Sequence, residues 1–329
     1  MKLKVLRRSE KSTLGYSRQT RAVILYIAVA LLFIGVSPLL PPSYQRILVL
    51  FLMYCSMAVA WIVVLKMGYV SLGTAAFYGT GAYFFAYAIK ALPGVPYVLI
   101  AVASIPLVAL IAAVVGYVTM RLEGIFFIFA TFAAAEALRQ IFMYLEINYS
   151  GYVGKIIPSS LSAMEAVVVF SILLSAAGVL YSITSSQRIR VVIDFIREDE
   201  LLARSFGVNT LRYKLAFFTA ASALQGVTGA FAAWYLAYID PDLVFNPMVS
   251  IQVLVIGLLG GTGSFFGPVL ASGLIVFLSE QLVRVASHMY LVLLGVGILL
   301  AAKFLKEGFS GFIFAIQKMI GGEKDGENY

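Results

Sequence analysis

The chain has 329 residues, of which 61% are hydrophobic and 12% charged, and its mean hydropathy is +0.96. Soluble proteins carry about 45–50% apolar and about 25% charged residues, so the composition excludes a soluble globular domain and also a disordered chain. The apolar runs are continuous over about 20 residues. They predict an all-α polytopic transmembrane helical bundle of about 8–10 spans rather than a β-barrel.

The net charge of +8 is concentrated at the start of the chain, where seven basic residues within residues 1–21 face a single acid, Glu10. Positive charge beside a first span holds that flank in the cytoplasm, and we favour this explanation over nucleic-acid binding. We expect a basic cytoplasmic tail over residues 1–21, a membrane domain over residues 22–303 whose first span is not cleaved, and a cytoplasmic tail over residues 304–329. Both termini would then lie inside a cell (inner or plasma) membrane.

Ten apolar runs follow one another along the chain. They cover residues 22–40, 47–65, 70–89, 97–120, 125–145, 166–183, 215–238, 248–259, 268–282 and 290–302. Segment 185–214 carries six basic residues and should be cytoplasmic. Six runs precede it, the even number that a cytoplasmic N-terminus requires. A re-entrant pair formed by the short eighth and ninth runs is the alternative to two full spans.

The cytoplasmic segment 185–214 has more apolar residues than a topology signal needs. Its apolar positions follow helical spacing between residues 187 and 206: Ile189, Val191, Val192, Ile193, Phe195, Ile196, Leu202, Ala203 and Phe206. This pattern predicts an amphipathic helix that docks on the membrane surface or on a partner, with a solvated loop as the alternative. Gly207 fits the C′ position that ends this helix, and Asn209 or Thr210 fits the cap of the next one.

Two glycine-rich segments interrupt apolar runs, one in each half of the chain. The first spans residues 68–83 and includes Ser71, Gly73, Gly79 and Gly81; the second spans residues 260–268 and includes Gly260, Gly261, Gly263 and Gly267. Paired interruptions of this kind are typical of an internal repeat and a translocation pathway. Close helix packing through small residues is the alternative.

Glu136 and Arg139 are the ionisable residues in the middle of the fifth run. Their i, i+3 spacing places them on one face, where they can form an ion pair. Because charges are costly in lipid, we expect the pair to face the bundle interior, either beside the pathway or as a structural pair. So few acids within the spans argue against a carrier driven by protons or sodium ions.

The sequence offers little for enzyme chemistry. The sole histidine, His288, has no serine partner within a span, and we find no metal-ligand cluster and no phosphate-binding G-x-x-x-x-G-K-[ST] motif. We therefore expect no catalytic residue, no metal site and no cofactor bound by this chain. Any action driven by ATP would need an ATPase on another chain.

Four stretches, in order and at compatible spacing, resemble one family. Residues 68–83 resemble a G-x-x-S-L-G-x-x-A-F-x-G-x-G-A-Y segment, and residues 121–139 an R-G-x-Y-x-A-x-x-T-L-x-x-x-E-x-x-R stretch. Residues 196–217 resemble a cytoplasmic coupling segment, and residues 260–269 a G-G-x-G-x-x-x-G-P motif. All four are found in the permease subunits of branched-chain amino acid ABC importers of the LivM type.

The resemblance implies a heteromeric transport complex in the lipid bilayer. Its parts would be this chain, a second homologous permease, two cytoplasmic ABC ATPases that bind ATP and Mg²⁺, and an external substrate-binding protein. The ATPase contact would involve the residues of the coupling segment: Arg197, Glu198, Asp199, Glu200, Ala203 and Gly207. Related importers for urea or short amides remain an alternative, as does a stand-alone secondary carrier; an assembly protein without a transport role is a third class.

Overall fold

The computed structural model describes residues 22–286 together with Gly295, Phe309 and Gly311. Apart from those three residues, the tenth run and the tail over residues 304–329 lie outside the described residues, as do the predicted basic tail over residues 1–21 and His288.

The described chain is a bundle of helices joined by short connections. Its elements are α1 (residues 22–36, followed by a 3-10 turn at Ser37–Leu39), α2 (Pro42–Lys66), α3 (Thr74–Ala91), α4 (Tyr97–Thr119), α5 (Ile125–Leu145, followed by a π turn at Glu146–Ser150), β1 (Lys155–Ile156), α6 (Ala163–Ser185), α7 (Gln187–Glu198), α8 (Glu200–Ser205), α9 (Thr210–Leu236), β2 (Tyr238–Ile239), α10 (Pro241–Val244), α11 (Pro247–Gly260) and α12 (Phe266–Ala286). The strands β1 and β2 form one short antiparallel ladder.

Seven helical segments within residues 22–286 are long and apolar enough to cross a membrane. They are Ala22–Leu39, Pro42–Lys66, Tyr97–Thr119, Ile125–Tyr149, Ala163–Ser185, Thr210–Leu236 and Pro241–Gly260. A shorter apolar helix follows at Phe266–Leu282, and α3 is a further helix of the same bundle. The prediction of a polytopic all-α membrane bundle is confirmed.

The spans differ in how far the rest of the protein covers them. Within the most apolar stretch of each span, 78% of α2 and 72% of α9 is buried, against 17% of both α1 and α5. Helices α2 and α9 are therefore central, whereas α1, α4 and α5 present broad apolar faces outward.

Helix α3 crosses α9 so closely that their backbones touch. A Cβ added to Gly81 would lie 1.8 Å from the carbonyl oxygen of Gly226, and one added to Gly229 would lie 1.9 Å from that of Tyr78. Gly79 likewise lies against the ring of Phe245. Small residues permit such close approach, so packing accounts for these glycines of the first glycine-rich segment.

The two ends of the bundle are distinguished by α9, which rises about 40 Å over its 27 residues. Arg204 bonds to Thr210 at the start of α9, whereas Lys155 lies in β1, which pairs with β2 just after α9 ends. These two residues therefore lie at opposite ends. Lys66, at the end of α2, donates a 2.5 Å hydrogen bond to Ser185, at the end of α6. The ends of α2 and α6 thus lie together on the side of α7 and α8, which we call the α8 side.

Candidate functional site

The amphipathic segment on the α8 side consists of two helices rather than one. Asp199 has an extended backbone (φ −153°, ψ 106°), and its carboxylate accepts a 2.9 Å hydrogen bond from the backbone N–H of Leu202. An aspartate at this position caps a new helix and competes with continuation of the old one. The prediction of one continuous helix over residues 187–206 is therefore wrong, because α7 ends at Glu198 and α8 begins at Glu200.

The predicted end of this segment is confirmed. Gly207 has a φ of +80°, the left-handed conformation that glycine adopts without strain, and Val208 N–H bonds to the carbonyl oxygen of Ala203 at 3.1 Å. Asn209 then caps α9 by accepting a 3.1 Å hydrogen bond from Arg212 N–H. The connection between α8 and α9 is thus fixed at both of its ends.

Helices α7 and α8 divide their apolar residues between two faces. Ile193, Ile196 and Ala203 are buried against the bundle. Five large apolar side chains remain exposed. Besides Leu201, they are the four that form what we call the docking face: Val191, Phe195, Leu202 and Phe206. Phe206 is 73% exposed, and its ring centroid lies 6.2 Å from that of Phe195. Apolar side chains grouped at a membrane edge in this way are typical of a protein contact surface.

The residues predicted to contact an ATPase do not all point the same way. Arg197, Glu198, Asp199 and Gly207 are exposed, whereas Ala203 is buried and Glu200 is half-buried. Glu200 turns toward the bundle, where it accepts hydrogen bonds from Arg204 and Thr210 at 2.8 Å each and pairs with Lys214. Glu200 is therefore part of an internal network rather than of the docking face.

Lys214 connects Glu200 in α8 to Tyr69, which lies in the connection between α2 and α3. Its side chain is 2% exposed, and its Nζ donates to Glu200 and, at 2.5 Å, to the hydroxyl of Tyr69. We call Glu200, Arg204, Thr210, Lys214 and Tyr69 the Glu200 cluster. Burial alone raises the pKa of the Glu200 carboxyl, but the bonds from Lys214, Thr210 and Arg204 outweigh it and hold that pKa below its ordinary value.

Sequence reasoning counted Lys214 only as a topology charge and missed Tyr69 as its partner. One signal was present, because a cation near the start of a helix is disfavoured by the helix dipole unless an anion accompanies it.

A groove of about 400 Å³ opens beside the cluster, between the end of α4 and the start of α9. It is lined by Met120, Arg121, Glu123, Glu200, Arg204 and Leu211.

The first glycine-rich segment contains non-helical backbone inside the bundle, as predicted for a broken helix. The carbonyl oxygen of Ser71 accepts a 2.7 Å hydrogen bond from Trp61, and Leu72 N–H donates to Thr131. Ala75 N–H, at the start of α3, donates to the hydroxyl of Ser250 at 2.9 Å. Side chains of α2, α5 and α11 thus satisfy backbone groups that lipid would leave unpaired, and non-helical backbone persists at membrane depth only with such partners or beside a cavity.

The second glycine-rich segment contains the non-helical connection between α11 and α12. Gly260 contacts the Pro268 backbone so closely that an added Cβ would lie 2.5 Å from the proline Cα. Gly261 and Thr262 are half-buried, Gly263 is exposed and Gly267 is buried. Trp61 contacts both regions. Its indole donates to the carbonyl oxygen of Ser71 and also packs against Gly257, near the end of α11.

Glu136 and Arg139 form the predicted ion pair, at 2.5 Å. Their side chains are 35% and 24% exposed within this chain, and the expectation that they face the interior of the bundle stays a prediction. Helix α10 brings Asp242 to Arg139 as a second carboxylate partner, while Gln140 donates to Glu136 at 3.0 Å. We call Glu136, Arg139, Gln140 and Asp242 the α5 charge cluster.

A third charged pair, also missed from the sequence, closes the end of the bundle opposite α8. Glu146 and Lys155 lie 3.5 Å apart and are 0% and 3% exposed. Gly154 N–H donates to Glu146 at 2.7 Å, and the rings of Tyr87 and Tyr152 lie within 5.4 Å of the Lys155 ammonium.

Among residues 22–286 and the three isolated ones, no group of three or more His, Cys, Asp or Glu side chains could hold a metal ion.

The class of protein that this architecture defines is a polytopic membrane protein, with an apolar docking face at one end of its helical bundle. Residues 43–302 match the family described as the permease component of branched-chain amino acid transport systems. Because this match covers well over half of the chain, the chain belongs to that family, and it is a multi-pass membrane protein.

Two curated relatives share part of the sequence. They are the high-affinity branched-chain amino acid transport system permease proteins LivM of Salmonella typhimurium (strain LT2) and of Escherichia coli (strain K12), each 37% identical to this chain over 100 residues. The matched stretch spans 30% of this chain and only 23% of either relative.

Proposed function

We propose that this chain is one permease subunit of an ATP-binding-cassette importer for branched-chain amino acids. Two separate cytoplasmic ATPases supply the energy, an external binding protein delivers the substrate, and a second, related permease completes the pathway. The chain itself catalyses no reaction. The permease pair opens alternately to the two sides of the membrane, and the α8 side faces the cytoplasm, in keeping with the basic residues of segment 185–214.

The observation that best supports this proposal is the docking face beside the Glu200 cluster. Phe195, Leu202 and Phe206 are exposed apolar side chains on helices whose other face is anchored by Ile193 and Ala203. A surface anchored in this way can transmit a movement of a bound partner to the bundle. The Glu200 cluster then connects α8 to Tyr69, next to the broken segment that begins α3.

The direct test is uptake by the reconstituted assembly. Vesicles that contain all subunits should accumulate L-leucine only when ATP is present on the α8 side, and vesicles prepared without this chain should not. Uptake without ATP would instead indicate a stand-alone carrier, and uptake of urea or acetamide in preference to leucine would indicate the related substrate class.

Coupling can be tested separately with Gly207→Val. A β-branched residue is strained at the left-handed position of Gly207, by about 1–2 kcal/mol, and should displace α8 from α9. We expect normal membrane insertion but a large loss of ATP-driven uptake. A matched control is Arg190→Gln, which removes only the exposed pair with Asp194 on α7. Normal uptake by the Gly207 variant would refute a coupling role for α8.

A further inference from the structure

The α5 charge cluster joins two membrane spans. Glu136 lies near the middle of the first, 11 residues from Ile125 and 13 residues from Tyr149, whereas Asp242 is the second residue of the other, Pro241–Gly260. Charged side chains at this depth face a bundle interior or a water-filled cavity, because exposure to hydrocarbon is costly. Here the chain's own helices leave Arg139 24%, Glu136 35% and Asp242 65% exposed. Some medium other than lipid must therefore meet this face of α5.

The charges of the cluster are arranged to meet both ends of a zwitterion. Arg139 donates from Nε and Nη2 to Glu136 and from Nη1 to Asp242. These contacts use three of the five guanidinium N–H groups, so two remain for an incoming carboxylate. Two carboxylates surround one guanidinium, which leaves one negative charge in excess to attract an ammonium group.

Apolar side chains follow the α5 charge cluster along the same face of α5, toward the α8 side. Phe132 and Phe129 lie four and seven residues before Glu136, so all three share one helical face. The two rings are 36% and 61% exposed. A ligand whose charged ends meet the α5 charge cluster would thus find an apolar wall one to two helical turns away.

We propose that the α5 charge cluster, with Phe129 and Phe132, is a transient binding site for a zwitterionic amino acid with an apolar side chain. The proposal rests on the transport function given above and deepens it. Arg139 receives the substrate carboxylate, Glu136 and Asp242 receive the ammonium group, and the two rings contact the side chain. This chain provides one wall of the site, and the second permease provides the opposite wall.

Water access and binding can be measured together by cysteine labelling of the assembled transporter in vesicles. The background is Cys55→Ala, which removes the one native cysteine, and the test variant is Gln140→Cys. The control is Val114→Cys, at a 61% exposed position on α4 that no charged group accompanies. A membrane-impermeant methanethiosulfonate should modify the cysteine at position 140 roughly tenfold faster than the one at position 114, because only the former meets water.

L-leucine should slow the modification of the cysteine at position 140, whereas 4-methylpentanoate, which lacks the ammonium group that the excess negative charge attracts, should not at the same concentration. Equal, slow modification at both positions would overturn the proposal, and so would fast modification that leucine leaves unchanged. ATP-driven leucine uptake by the unsubstituted assembly is measured in parallel. Loss of that uptake would count against the proposed function, whereas normal uptake without protection would count against this site alone.

Arg139→Lys tests the role of the guanidinium in the same labelling assay. Lysine keeps the positive charge but lacks the planar fork that holds a carboxylate through two bonds. We expect the leucine concentration that half-protects the cysteine at position 140 to rise roughly tenfold, because one charge-assisted contact is weakened. An unchanged half-protecting concentration in a correctly assembled variant would overturn the role of Arg139.

Discussion

The Glu200 cluster and the α5 charge cluster have similar chemistry in opposite settings. Each centres on one cation that bonds to a carboxylate, yet Lys214 at the edge of the membrane is 2% exposed, whereas Arg139 in the middle of a span is 24% exposed. If solvation alone decided burial, the membrane-edge cluster would be open and the mid-span cluster closed. The reversal indicates that the first cluster fixes a connection between helices and that the second remains available to another molecule.

The largest expected effect is the loss of stability when the Glu200 cluster is broken. Lys214→Met leaves Glu200 half-buried without its main partner, and breaking a buried ion pair costs roughly 3–5 kcal/mol. The fraction of protein extracted in monodisperse form should fall sharply on size-exclusion chromatography. The double change Lys214→Met with Glu200→Gln should recover part of it, because no unpaired charge remains. Strictly additive losses would mean that the two side chains do not interact.

The corresponding change in the α5 charge cluster should affect transport far more than stability. Arg139→Gln removes a partly exposed ion pair. If water reaches this face, as the proposed site requires, such a pair contributes only about 0.2–1 kcal/mol, and water also solvates the carboxylates that remain. Extraction and monodispersity should therefore stay close to those of the unsubstituted protein, while leucine uptake by the assembly falls. A loss of folded protein as large as that of Lys214→Met would show that the two clusters do not differ in role.

The smallest expected effect is the pH dependence of stability that Glu200 contributes. The folded-state pKa of Glu200 lies below the ordinary value of 4.5, so the stability that this carboxylate contributes is present above pH 4.5 and is lost as the pH falls through the folded-state pKa. The thermal unfolding temperatures of wild type and Glu200→Gln should differ by a constant amount from neutral pH to about pH 5 and converge below it. Convergence that is already complete at pH 6 would contradict this assignment.

The sequence predicted the features that depend on neighbouring residues. Continuous apolar runs predicted helices throughout the described chain, and positive φ at Gly207 followed from its place after the last apolar turn. The second glycine-rich segment contains the connection between α11 and α12, whereas only residues 68–73 of the first are non-helical, and Gly79 and Gly81 lie inside α3. The i, i+3 pairing of Glu136 with Arg139 is equally local. The same reasoning failed at Asp199, where one side-chain cap outweighed an otherwise helical pattern.

What the sequence could not predict are contacts between distant residues. Tyr69 and Lys214 are 145 positions apart, and Arg139 and Asp242 are 103 apart. Helical periodicity assigns residues to a face but does not say which neighbour covers that face. For this reason the sequence identifies Lys214 only as one of the basic residues of segment 185–214, and it does not predict Asp242 as a partner of Arg139.

The contact between α3 and α9 restricts how this protein can change shape. Gly81 and Gly229 bring the two backbones together without intervening side chains at two points, where no rotamer change could let one helix slide along the other. The two helices should therefore move as a single rigid body. Hinges would then be confined to the non-helical connections at its ends.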